Sequence, residues 1–324
     1  MGTLYVFQPD VYISREGGEL KVARSHGRDV LIRKPLVHVS ELVVFGNATV
    51  TSSALYALME QGSPVHYLTG GGTYFAQTMP SENKNVPLRL EQMRAYFDEA
   101  KKHCLARRFV LGKIYNASVF AKRRSEDIYA LRDIMRDVEA CADTEVLRGL
   151  EGNAARVYYQ LIRDHFPDNF AFASRNKRPP RDPVNSLLSL AYTFLEKETR
   201  TALRIAGLDP YVGFLHEVKY GKPALSLDLM EEFRAILADS VVLSLFNKNM
   251  ITAEHFENSQ GTPRLTEDGF KQFLRAWEER LNQQALHSLL KQKRDYRQIM
   301  VDQARILGKY LMAELPDYVP FVAR

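Results

Sequence analysis

The stretch Met79-Pro80-Ser81-Glu82-Asn83-Lys84-Asn85-Val86-Pro87 (MPSENKNVP, 79–87) separates two different hydrophobic periods. It is polar, with a proline near each end, and reads as a linker over 81–87. Upstream, TLYVF (3–7), DVYISREGGELKVA (10–23) and DVLIRKPLVHVSELVVF (29–45) are short runs rich in β-branched and aromatic residues. Such runs favour strands, and Gly17-Gly18 marks a hairpin turn between two of them. NATVTSSALYALMEQGSP (47–64) reads as a helix closed by Gly62, Ser63 and Pro64. Gly70-Gly71-Gly72, between VHYLT and TYFAQTM, reads as a second hairpin turn; no Lys-Ser/Thr follows to make a phosphate loop.

Downstream the apolar spacing becomes three and four residues, the helical period. Helices are expected over 88–122 and about 126–140, 144–165, 183–206, 227–246, 266–292 and 295–315. Asp182-Pro183 is a helix cap followed by proline at the first helical position, and Thr266 caps another start. The fold class is therefore α+β: a β-rich, sandwich-like domain over 1–80, then a larger all-helical domain over 88–324. No internal repeat or low-complexity tract interrupts it.

Composition narrows the class further. Of 324 residues, 45% are hydrophobic and 26% charged, with a mean hydropathy of -0.28, as in ordinary water-soluble chains. No apolar run approaches the roughly 18 residues of a membrane span, and the start lacks a signal peptide's basic and apolar regions. Two cysteines, Cys104 and Cys141, are too few for a disulfide framework, which points to a reducing cytoplasm. Charge balances over the first 86 residues, so the whole +5 surplus lies beyond them. A basic half beside a neutral one suits a polyanionic partner or a plainly solvated surface.

GFLHEVKYGKPALSLDLMEEFR (213–234) concentrates the chemistry. His216 precedes a turn, and Asp228 and Glu231 stand three apart on one helical face, with Glu232 turned away. Acids in a first helical turn also complement the helix dipole, for about 0.3–1 kcal/mol each. The apolar surroundings make an imidazole and two carboxylates costly to bury unpaired, and a divalent cation would offset that. Glu151, between Gly149 and Gly152, is the best third ligand. A Glu/His/Glu set with Asp228 beside it suits Mg2+ or Mn2+ working on phosphate. SRNKRPPRDPVN (174–185) adds Arg175, Lys177, Arg178 and Arg181 around two prolines, an extended basic loop able to follow a phosphate backbone. Arg156 and Lys222 are further candidate phosphate contacts.

Four segments in order, LEGNAARVYY (150–159), RNKRPPRDPVNSLLSLAYTFL (175–195), GLDPYVGFLHEVKYGKPALSLDLMEEFR (207–234) and DYRQIMVDQARILGKYL (295–311), resemble the CRISPR-associated integrase family, the universal core endonuclease of spacer acquisition. The resemblance implies metal ligation by Glu151 and His216, with Asp228 and Glu231 as the two acids of a D-x-x-[DE] motif. The family often has Asp at the second acid, so the longer Glu231 leaves both Asp228 and Glu231 as candidates for direct contact. It further implies a homodimer formed through the β domain and a small ferredoxin-like partner protein. The implied activity joins 3′-hydroxyl ends of foreign DNA fragments to the leader-repeat of a CRISPR array. A repair-type nuclease without integration and a non-catalytic nucleic-acid scaffold remain as alternatives.

Overall fold

The computed structural model describes residues 2–24, 28–80, 83–176, 179–259 and 261–323. It divides into two compact units, Met1–Glu82 and Asn83–Arg324.

The first unit holds two four-stranded sheets. One has the order β1 (Gly2–Val6), β5 (Val39–Phe45), β7 (Val65–Leu68), β8 (Tyr74–Thr78); the other runs β4 (Asp29–Pro35), β3 (Glu19–Arg24), β2 (Val11–Glu16), β6 (Ala48–Val50). Strands β2 and β3 are antiparallel about Gly17, whose φ of 59° is the left-handed conformation a tight hairpin needs. The triple glycine lies between antiparallel β7 and β8. Alternate residues of both sheets, among them Leu4, Val6, Ile13, Val22, Leu42 and Val44, form one apolar core. Helix α1 (Ser52–Glu60) adds Ala54, Ala57 and Leu58 to it. The stretch 47–64 is thus only partly helical, because Ala48–Val50 pairs in parallel with β2 before Thr51 caps α1.

The second unit begins with α2 (Val86–Phe97) and α3 (Glu99–Lys122). These are two helices rather than one over 88–122, because Asp98 ends the first in an extended conformation and its carboxylate caps the second. Next come α4 (Tyr129–Ala140), α5 (Thr144–Arg163) and α6 (Pro183–Ala206), the last opened by Asp182 and closed by Gly207 at φ 89°. The helix expected over 227–246 is broken into three: α7 (Ala224–Met230), a π-helical turn (Arg234–Asp239) and α8 (Ser240–Asn247). The unit is mostly rather than wholly helical. Strands β9 (Phe256–Ser259) and β10 (Thr262–Leu265) form a hairpin before α9 (Glu267–Leu281). The helix expected over 266–292 stops at Leu281, where the Asn282 amide donates to Glu278 O at 2.8 Å and competes with the helical ladder. A second hairpin, β11 (Gln284–Leu286) with β12 (Lys293–Asp295), leads into α10 (Tyr296–Leu311). No described helix is long and apolar enough to cross a membrane.

Ion pairs buried among these helices tie distant segments. Arg297 of α10 donates to Glu198 of α6 at 3.1 and 3.2 Å and to Glu278 of α9, while Lys197 lies 3.1 Å from Glu198. Burial pushes the Glu198 carboxyl up, but Arg297 and Lys197 outweigh it and bring it down from 4.5 to about 2. A folded value below the unfolded one gives stability that is complete above about pH 4.5 and lost as the pH falls toward 2. Glu198→Gln should lower the unfolding free energy by about 3–5 kcal/mol at pH 7 and flatten its dependence between those pH values, as read by urea titration.

Candidate active site

Asp228, at the end of α7, is completely buried, and its carboxylate is wrapped by the loop that precedes the helix. Oδ2 accepts the backbone N–H groups of Phe214 at 2.6 Å and Leu215 at 3.0 Å. Oδ1 accepts the N–H of His216 at 2.8 Å and its ring Nδ1–H at 2.8 Å. A carboxylate oxygen accepts, so Nδ1 carries the hydrogen of this contact, and in the neutral form of the ring the lone pair is at Nε2. Gly213 makes the wrap possible: a Cβ there would lie 2.6 Å from Ala224 C and 2.7 Å from Asp228 Oδ2.

The outward Nε2 faces Glu231, 3.9 Å from its Oε1. Glu231 lies in the turn after α7, and only 2% of its side chain is exposed. Two cationic groups surround it. Arg234 Nη1 donates to both oxygens, at 2.8 and 3.2 Å, and Lys113 Nζ from α3 lies 2.7 Å from Oε2. The same ammonium pairs with Glu151 on α5, whose carboxylate is partly exposed. Burial alone would raise the Glu231 carboxyl; Arg234, then Lys113, instead hold it well below the usual carboxylate range. Glu232 points the other way, and burial pushes it up to about 7.

Glu151, His216, Asp228 and Glu231 are thus brought together, with unequal roles open to them. All four acceptor contacts of Asp228 are filled within its own loop, leaving it to orient His216. Glu151, Glu231 and His216 Nε2 face the space that the Lys113 ammonium enters. Among the described residues, no group of three or more His, Cys, Asp or Glu closes into a metal cage. The donor set nevertheless fits a divalent cation. Two carboxylates already share one positive charge, and an imidazole lone pair lies 3.9 Å from a carboxylate oxygen, an arrangement that calls for a cation.

The basic candidates lie elsewhere on the unit. Arg156 is exposed on α5 and donates to Asn153 and Gln160. Arg175 turns inward to Asn185 Oδ1 at 2.7 Å and Ser189 Oγ at 3.0 Å. Arg181 is exposed, with its N–H on Asn176. Lys222 closes a turn with Lys219 that carries a fully exposed Tyr220. Lys177 and Arg178 lie outside the described residues, as do Ser81 and Glu82 of the expected linker. Gly149 and Gly152 have open space where a Cβ would project, so neither admits a neighbouring backbone. Lys113 and Arg234 escape a sequence reading. The first is one cation in the apolar run FVLGKIY, and the second is the last residue of MEEFR, three beyond Glu231.

Comparison with known proteins agrees with this architecture. Residues 4–279 match the family described as CRISPR associated protein Cas1. A relative from Thermus thermophilus, CRISPR-associated endonuclease Cas1 3, is 51% identical over 100% of this chain and 98% of its own length. CRISPR-associated endonuclease Cas1 1 of Chlorobaculum tepidum is 33% identical over 100% of this chain and 99% of its own. Among solved structures, a Cas1 protein from Thermotoga maritima superposes with a TM-score of 0.84 at 25% identity, covering 100% of both chains. A casposase bound to integration product shares the fold at a TM-score of 0.88 and 22% identity, over 98% of this chain and 93% of that one. Fold and matched sequence together define a CRISPR-associated protein. The chain belongs to the Cas1 family.

Two substitutions probe the geometry. Gly213→Ala should cost about 1–3 kcal/mol through overpacking against Ala224 and Asp228, measured by thermal unfolding. Lys113→Met in metal-free buffer should cost about 3 kcal/mol, because Arg234 still faces Glu231 while Glu151 loses its cation.

Proposed function

We propose that the helical unit is a metal-dependent DNA endonuclease and integrase of CRISPR adaptation. The observation that carries this reading is one ammonium, Lys113 Nζ, shared by Glu151 and Glu231, with the Nε2 of His216 facing Glu231. Glu151, Glu231 and His216 would hold Mg2+ or Mn2+, and Asp228 would position His216. Such a cation supplies Lewis-acid stabilisation of the negative charge that develops on a phosphodiester. The chain's own groups then have defined tasks. Asp228 keeps the hydrogen on Nδ1 and the lone pair on Nε2; Arg234 keeps Glu231 ionised; exposed Arg156 and Arg181 and the half-buried Lys222 meet phosphates.

In the proposed reaction the 3′-hydroxyl oxygen of a DNA fragment attacks a phosphorus at the repeat end of the array. One P–O bond forms, another breaks, and a new 3′-hydroxyl leaves with the proton balance closed by solvent. With water as nucleophile the same chemistry is hydrolysis, in keeping with the endonuclease names of the relatives. We further propose that the protein works in the cytoplasm as a homodimer paired through its β unit, with a small ferredoxin-like partner.

A strand-transfer assay on a supercoiled plasmid carrying the repeat, with Mn2+ or EDTA, tests this reading. Joined product should require the metal. Glu151→Ala, Glu231→Gln and His216→Ala should abolish joining while leaving the fold and salt-sensitive DNA binding intact. Asp228→Asn, which replaces one of the two accepting oxygens of the His216 loop by an amide donor, should cost joining about 10–100-fold. Retained joining by Glu151→Ala would overturn the ligand set. Cleavage without joining would favour a repair-type nuclease, and metal-independent binding alone a scaffold.

A further inference from the structure

The turn that carries Glu231 has little helical support of its own. Glu231, Glu232 and Phe233 donate to carbonyls three residues back, at 3.2, 3.3 and 2.9 Å, between α7 and the π-helical turn. What holds this turn comes from distant parts of the chain. The Glu232 carboxylate accepts the Tyr318 hydroxyl on Oε1, and the Phe321 N–H at 2.7 Å and Gln303 Nε2 at 2.9 Å on Oε2. Its carbonyl accepts Asn116 Nδ2 at 2.7 Å, and the same amide reaches Phe321 O at 2.8 Å. Asn116 Oδ1 in turn accepts the N–H of Ala323 at 2.8 Å. Phe233 stacks on Phe321 with ring centres 5.6 Å apart and planes 11° from parallel. Glu232, Asn116, Gln303 and Tyr318 are all completely buried.

Helix α3 joins this clamp to the site. Asn116 follows Lys113 by about one helical turn, on the same side of the helix. One rigid element therefore sets both the cation between Glu151 and Glu231 and the backbone of the neighbouring residue. Gly112 on α3 gives room for the arrangement, since a Cβ there would lie 2.7 Å from Pro320 Cβ and 3.2 Å from Glu232 Cγ.

We propose that segment 317–323, gripped through Glu232 by Asn116 and Gln303, positions the Glu231 carboxylate for metal binding, so that Tyr318 and Gln303 are positioning residues for the site. The inference rests on the metal-site reading above. Ligand-supporting groups typically change metal affinity by about 10–100-fold, whereas a clamp that only closes the core would change stability alone.

Calorimetric titration of the full chain with Mn2+ separates these cases. Tyr318→Phe removes one hydroxyl at constant shape, and Gln303→Met removes one amide; each should weaken Mn2+ binding by about tenfold. Leu274→Ala, a core change on α9, should lower the unfolding temperature at least as far and leave Mn2+ affinity unchanged. Unaltered affinity in both clamp variants overturns the proposal, and so does an equal loss in Leu274→Ala. Failure of the unsubstituted protein to bind Mn2+ overturns the metal-site reading itself and the clamp's role with it.

Discussion

Glu231 is almost wholly buried, and a buried carboxylate stays ionised only where positive charge meets it. Here Arg234 approaches from the π-helical turn and Lys113 from α3, and Lys113 also draws in Glu151 from α5. Bringing a second carboxylate to a buried first one is unfavourable by Coulomb repulsion. The fold accepts that cost at one point and surrounds the point with cations.

The histidine is fixed by a different means. Asp228 gathers three successive backbone N–H groups and the imidazole Nδ1–H, which sets the ring's tautomer and direction before any ligand arrives. Two acids three residues apart therefore do different work. One is consumed in building the loop, and the other is left facing the cationic space. Preorganisation of this kind reduces the reorganisation required when phosphate charge develops.

The sequence made the β-to-helix switch, the hairpins at Gly17 and Gly70–Gly72 and the caps at Asp182 and Thr266 legible, because each depends on local period or a single capping side chain. It did not reveal the break at Asp98, the π-helical turn or the hairpin after Leu281. At Asp98 and Asn282 a single polar side chain interrupts an otherwise helical period, and at the turn before the π-helical stretch the conformation is held by partners far along the chain, such as Tyr318 on Glu232. The candidate acids and His216 could be picked out by residue type and spacing. Lys113 and Arg234 could not, since a lone cation in an apolar helix has no period or motif to mark it.

The central claim is that Glu151, Glu231 and His216 share one divalent cation. Anomalous difference density from crystals grown with Mn2+, collected on the low-energy side and the high-energy side of the manganese edge, tests it directly. The account predicts an edge-dependent peak touching a carboxylate oxygen of Glu151, one of Glu231 and Nε2 of His216, with the Lys113 ammonium moved from between the acids. A crystal of active protein whose only manganese peak lies away from these three side chains would contradict it.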